Sequence, residues 1–131
     1  MLLSRAAEVA LKALPHFDPR GPEAPGHETR ALALACGEPA PFLGKVLQKL
    51  ARAGLLRSKR GRTGGFVLGR PASEITLADV LLAVEGVDDL GKLLGLPEGP
   101  AGALLAPGRD ELAKRLAGTT LASVRREAGL N

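Results

Sequence analysis

At 131 residues the chain carries enough material for one domain with a modest core. Hydrophobic residues make up 45% and aromatics 2%, with no Trp or Tyr, so Leu, Ala and Val must build the core, which favours helix-on-helix packing over a sandwich or barrel. The net charge is +4, and the single cysteine excludes a disulfide framework and any multi-cysteine metal site within one chain.

No run reaches the length of apolar sequence that a membrane span requires, and Arg5, Glu8 and Lys12 interrupt the apolar start as no signal peptide would. A cytoplasmic protein without membrane contact is expected. Along the chain, Leu3, Ala7, Ala10 and Leu14 recur at helical spacing and predict a helix over 2–14, closed by Pro15. Four prolines and two glycines between 15 and 26 predict a loop. His16 and His27 flank it; with Asp18 or Glu28 they offer the only metal-like grouping, at a spacing that fits no established site, so no metal is expected.

A second short helix is predicted over 28–36 and stops at Gly37. A third follows over 41–53, with Pro41 suited to a first helical turn. Leu43, Val46, Leu47 and Leu50 form its apolar stripe, and Lys45, Gln48, Lys49 and Arg52 its polar one. Two helices joined by a tight turn, the second cationic on its outer face, outline a helix-turn-helix. Next, 55–58 and 66–68 read as strands around the glycine-rich tip Lys59–Gly65, which makes a β-hairpin wing.

Residues 45–70 contain Lys45, Lys49, Arg52, Arg57, Lys59, Arg60, Arg62 and Arg70 and no acid. The bland reading of such a run is a solvated face. Its order after a helix-turn-helix favours a polyanion partner, double-stranded DNA first. The wing glycines then permit positive φ and close backbone approach to phosphate.

Thr76 with Asp79 forms the Asp variant of a capping box and opens a helix over 76–86. Residues 87–108 read as loop with a helical piece near 90–94, followed by helices over 109–117 and about 121–126. No serine has His and Asp partners in a nucleophile pattern, and no phosphate-loop motif occurs, so an enzyme is not expected and no catalytic residue is named. Cys36 is a candidate thiol sensor, set against the plainer reading of a small apolar residue at a helix end.

The segment AGLLRSKRGRTGGFVLGRPASEITLADVLLAVEG, residues 53–86, resembles the signature of the Rrf2 family of bacterial transcription regulators, the group of IscR, NsrR and CymR. Ala53-Gly54-Leu55, Ser58, Arg60-Gly61, Gly64-Gly65-Phe66 and Leu68 carry the wing pattern, and Ile75-Thr76-Leu77 is the clearest run beyond it. Phe42-Leu43 with Leu47 and Leu50 fits the recognition helix, and Leu121–Val124 the short closing helix. The likeness is strong over 30–86 and weak over 1–29 and 87–120.

The resemblance implies a mostly α fold with a small β-hairpin wing: a winged helix-turn-helix over 1–86, then an effector-region loop and dimerisation helices over 87–131. It implies a homodimer, most often a repressor, on a near-palindromic operator, with Arg60 in the minor groove. The expected DNA-binding residues are Lys45, Gln48, Lys49, Arg57, Ser58, Lys59, Arg60, Arg62, Gly64 and Gly65, and the expected dimer seam is Leu112 with Leu116. Three departures stand out. The cysteines with which many relatives hold an iron–sulfur cluster are missing from 87–108, so no cofactor is expected. Pro39 and Pro41 replace hydroxyl-bearing turn residues, and Gly44 replaces an acidic or amide residue. These departures motivate the alternative of a winged scaffold that acts through protein–protein contacts.

Overall fold

The computed structural model describes residues 3–61 and 64–130. Among these, seven α-helices run in the order α1 (Arg5–Ala13), α2 (Thr29–Cys36), α3 (Ala40–Arg52), α4 (Leu77–Glu85), α5 (Leu90–Leu93), α6 (Pro100–Gly118) and α7 (Leu121–Glu127), with 3₁₀ turns at Leu14–His16 and Ala72–Glu74. One antiparallel hairpin, β1 (Leu56–Lys59) with β2 (Gly65–Leu68), lies between α3 and α4. The fold is mostly α with a two-stranded wing, and no described helix is long and apolar enough to cross a membrane.

The apolar stripes dictate the packing. Val9, Ala10 and Ala13 of α1, Leu43, Leu47 and Leu50 of α3, and Val80, Leu81 and Val84 of α4 are buried in one cluster. Burying each such Leu or Val contributes about 1.5–3 kcal/mol relative to leaving it in water. The cluster also takes in Leu94, Leu116 and Leu121, so the later helices pack on the same core. Segments 75–77 and 119–121 meet side by side: the Leu77 amide donates to Thr119 O and the Leu121 amide to Ile75 O, both at 2.9 Å. Thr76 caps α4 in a complete capping box with Asp79, and Thr120 caps α7.

The turn between α2 and α3 is fixed by charge. The Glu38 side chain, only 2% exposed, accepts from Lys12 at 2.5 Å and is also bonded by Arg5, both on α1. The Lys12 hydrogen bond, with the Arg5 charge beside it, holds the Glu38 carboxyl below its usual range.

The hairpin is anchored from outside. In register, Leu56 pairs with Leu68 and Lys59 with Gly65, so Arg60, Gly61 and Gly64 belong to the tip. His27 then bridges to Phe66 through two backbone bonds, its amide to Phe66 O at 2.8 Å and the Phe66 amide to His27 O at 2.9 Å. Gly65 makes this possible. Its φ is +106°, and a Cβ there would stand 2.0 Å from His27 O.

One element begins earlier than its composition suggests. Residues 100–108 were expected as loop, yet α6 starts at Pro100 and runs through Pro107. Pro100 occupies the first turn, where a missing N–H costs little. Pro107 frees the carbonyl of Ala103, which lies on the exposed side of the helix. Gly102 is buried beneath the preceding loop, where a Cβ would fall 1.9 Å from Pro97 O. The first helix is likewise shorter than 2–14: Leu14–His16 continues it as a 3₁₀ turn.

Glu38→Gln is expected to flatten the acid limb of stability. The charged form of Glu38 is favoured by folding, so its contribution is full above its unfolded value of 4.5 and fades as pH falls through the lower folded value. Thermal melts of wild type and variant from neutral pH to about pH 3 check this. Gly65→Ala is expected to cost about 1–3 kcal/mol in chemical denaturation, through strained φ and the clash with His27 O.

Candidate nucleic-acid interface

Helix α3 presents two opposed faces. Leu43, Val46, Leu47 and Leu50 turn inward. Lys45, Gln48, Lys49 and Arg52, at steps of three and four, are all exposed on the other side. The hairpin that follows adds further cations. Leu56 is buried, whereas Arg57 and Ser58 are exposed, Lys59 is half-buried and Arg60 at the tip is exposed. Arg62 lies outside the described residues.

None of Lys45, Lys49, Arg52, Arg57, Lys59 and Arg60 enters a salt bridge with another described residue. Arg70 differs. Its guanidinium bonds Asp79 at 2.9 Å and Glu74 O at 2.9 Å, which ties the base of the hairpin to α4. A polyanion meeting this face finds cations that need not first break a protein contact.

The glycines of the wing serve the protein's own backbone as well as the tip. Gly61 and Gly65 have φ of +112° and +106°. The close approaches seen at Gly64 and Gly65 are to Lys59 O and His27 O respectively. The part of His27 in placing the wing had no sequence signal, because a single residue pairing with a distant strand leaves no periodic trace.

At the start of α3, Pro39 and Pro41 are exposed and no side chain caps the helix. Gly44 has room: a Cβ there would meet Thr29 Cγ2 at 3.7 Å, an ordinary contact. Leu116 of the expected seam is 8% exposed and belongs to the chain's own core, whereas Leu112 is 36% exposed. The strongly exposed apolar residues of α6 are Leu104 and Leu105, at 83% and 57%.

Cys36 is half-buried on α2, its Sγ 4.0 Å from Ala33 O. His27 Nε2 accepts the Asp18 amide at 2.9 Å, so that lone pair is already used. Among the described residues no group of three His, Cys, Asp or Glu side chains is placed to hold a metal.

The family model that matches residues 3–127 is Rrf2, described as iron-dependent transcriptional regulator. The donors present do not fit a cysteine-held iron–sulfur cluster, since the chain has one cysteine and residues 87–108 contain neither Cys nor His. Over 82 residues the chain is 46% identical to a Mycobacterium tuberculosis protein whose name places it among HTH-type transcriptional regulators, covering 59% of this chain and 50% of that one. It is 44% identical over 45 residues to IscR of Cereibacter sphaeroides, covering 34% of this chain and 29% of that protein. The chain thus spans about half the length, or less, of these curated relatives. Among solved structures, CymR of Bacillus subtilis, titled the global cysteine regulator of that organism, superposes with a TM-score of 0.78 at 26% identity over 97% of this chain and 98% of that one. IscR of T. potens gives 0.78 at 22% identity over 98% and 88%, a likeness of fold. These relatives are named as regulators and not as enzymes. With the family model spanning nearly the whole winged fold, the chain belongs to the Rrf2 family of transcriptional regulators.

Proposed function

We propose that this chain binds double-stranded DNA sequence-specifically as a homodimer and regulates transcription, most simply as a cytoplasmic repressor acting at a near-palindromic operator. The observation that carries the reading is the set of exposed Lys and Arg side chains on α3 and on the hairpin that follows it, which have no acidic partners among the described residues. Helix α3 enters the major groove. Lys45 and Gln48, near its start, reach base edges, where a lysine suits guanine and a glutamine suits adenine. Lys49, Arg57 and Lys59 neutralise phosphates, and Ser58 donates a hydroxyl to the backbone. Arg60 lies along the minor groove, whose negative potential deepens where it narrows. Gly64 and Gly65, and Arg62, which lies outside the described residues, are further proposed contacts.

Two-fold sites call for two-fold proteins. Helix α6 supplies the surface: over 19 residues it buries only Gly102 and Leu116, and it carries Leu104 and Leu105 outward, while Leu112 lies against Leu11, Leu81 and Leu116 of the same chain. A long helix left this bare in water is favoured to pack against a copy of itself. The second reading is a winged scaffold that works through protein contacts. Leu34 of α2, 81% exposed, and the two prolines heading α3 favour it.

Selection of a random duplex pool by fluorescence anisotropy separates the two readings. Wild type is expected to enrich a palindromic motif, and Lys59→Ala/Arg60→Ala to lose it. The slope of log affinity against log salt should shrink by about 0.9 for each phosphate contact removed. If neither protein enriches a motif and both share one salt slope, the scaffold reading takes its place. Leu104→Glu/Leu105→Glu is expected to yield a folded monomer by sedimentation at concentrations where wild type is dimeric.

A further inference from the structure

Three contacts converge on His27. Its backbone pairs with Phe66 of β2 in both directions. Its ring packs edge-on against Phe17, with centroids 5.4 Å apart. Its Nε2 accepts the Asp18 amide at 2.9 Å. Behind this, Arg125 of α7 donates to Phe17 O at 2.8 Å and also to Pro15 O. The loop that carries His27 is therefore clamped between the wing and α7. We propose that His27 is a positioning residue of the wing, which it holds in its DNA-contacting pose only while its imidazole is neutral. This rests on the reading that the wing meets DNA.

The chemistry follows from the acceptor. A neutral ring that accepts at Nε2 carries its proton on Nδ1. Protonation converts Nε2 into a donor aimed at another donor, the Asp18 N–H, and places a cation in a half-buried site against Phe17. The surrounding charged and titratable groups are His16, Asp18 and Arg20 on the loop and Arg125 on α7, with exposed Glu28 next in the chain; β2 contributes none. Bonds from Arg20 hold the Asp18 carboxyl down to about 2, so it stays ionised throughout the histidine range. Burial lowers the affinity of His27 for a proton; the Asp18 charge opposes this and the Arg125 charge adds to it. The unfolded chain thus takes the proton more readily than the folded one. The contribution of His27 is full above its ordinary value of 6.5 and is lost as pH falls below it.

Acidification makes the protein more cationic and by itself tightens binding to phosphate. A loss of affinity on acidification would therefore run against general electrostatics and report the latch. The test follows the amide resonances of Asp18 and Phe66 without DNA between about pH 8 and about pH 5.5, and over the same range the affinity for a random-sequence duplex pool. Wild type, His27→Gln, His16→Gln and Arg60→Ala are compared. In wild type both amides are expected to move with one midpoint below the usual histidine value, while affinity falls about tenfold. His27→Gln, whose amide oxygen can accept the same bond without titrating, should show neither change, and His16→Gln should behave as wild type. A Phe66 amide that stays still while Asp18 titrates overturns the proposal, as does a His27→Gln protein that keeps the wild-type pH profile. If both amides titrate together but Arg60→Ala binds as tightly as wild type at every pH, the latch stands and the wing's contact with DNA is what fails.

Discussion

Between Gly65 and His27 two stretches of backbone run closer than any side chain would allow, and the aim of the hairpin follows from that approach. A two-stranded ribbon alone is marginal in water. Here β2 gains a partner residue on its outer edge, and Phe66 drives into the core on the inner side. The tip can then project from a fixed base, so the cations on it are presented in a defined direction. Without glycine at 65 the loop before α2 and the hairpin would have to separate, and the order imposed on the wing would go with them.

The distribution of acids completes the surface. Glu38 draws Arg5 and Lys12 together at the turn before α3, Asp79 takes Arg70 at the foot of the hairpin, and Asp18 holds Arg20 in the loop. Each of these pairs joins parts of the scaffold. The cations of α3 and the hairpin are left out of such pairing among the described residues. The same charge type is thus used as mortar behind the site and as a solvent-facing field in front of it. Long side chains that need not be released from a protein partner lose less on meeting phosphate than paired ones would.

Much of this was legible from residue order. The stripe of Leu43, Val46, Leu47 and Leu50 fixed both the existence of α3 and the direction of its cations, because one period governs both. The capping pair Thr76 and Asp79 marked the start of α4 to within one residue, Thr76 being its cap and Leu77 its first helical residue. The hairpin was visible as apolar runs flanking glycine and charge. What stayed hidden was non-local or contrary to local preference. The pairing of His27 with Phe66 and of Thr76 with Thr120 depends on chain segments far apart in sequence, which leave no pattern in either one. Helix α6 was concealed by Pro100, Gly102, Pro107 and Gly108, each a breaker on average; Pro100 sits in the first turn and Gly102 fits beneath Pro97. Leu116 carried the right spacing for a seam, but spacing cannot tell a face turned to the chain's own core from one turned outward.

The contact between 75–77 and 119–121 bears on how the molecule is made. Leu121 is fully buried in the cluster that α1, α3 and α4 share, and its amide closes onto Ile75. As the ribosome extrudes the chain, everything needed for the helix-turn-helix and the wing emerges well before this piece does. Until residue 121 clears the exit tunnel, the core beside the 3₁₀ turns at 14–16 and 72–74, against which α7 packs, is open on one side. The nascent protein therefore displays a basic winged surface before its interior is sealed, and chaperones that recognise exposed leucine have that interval in which to engage it.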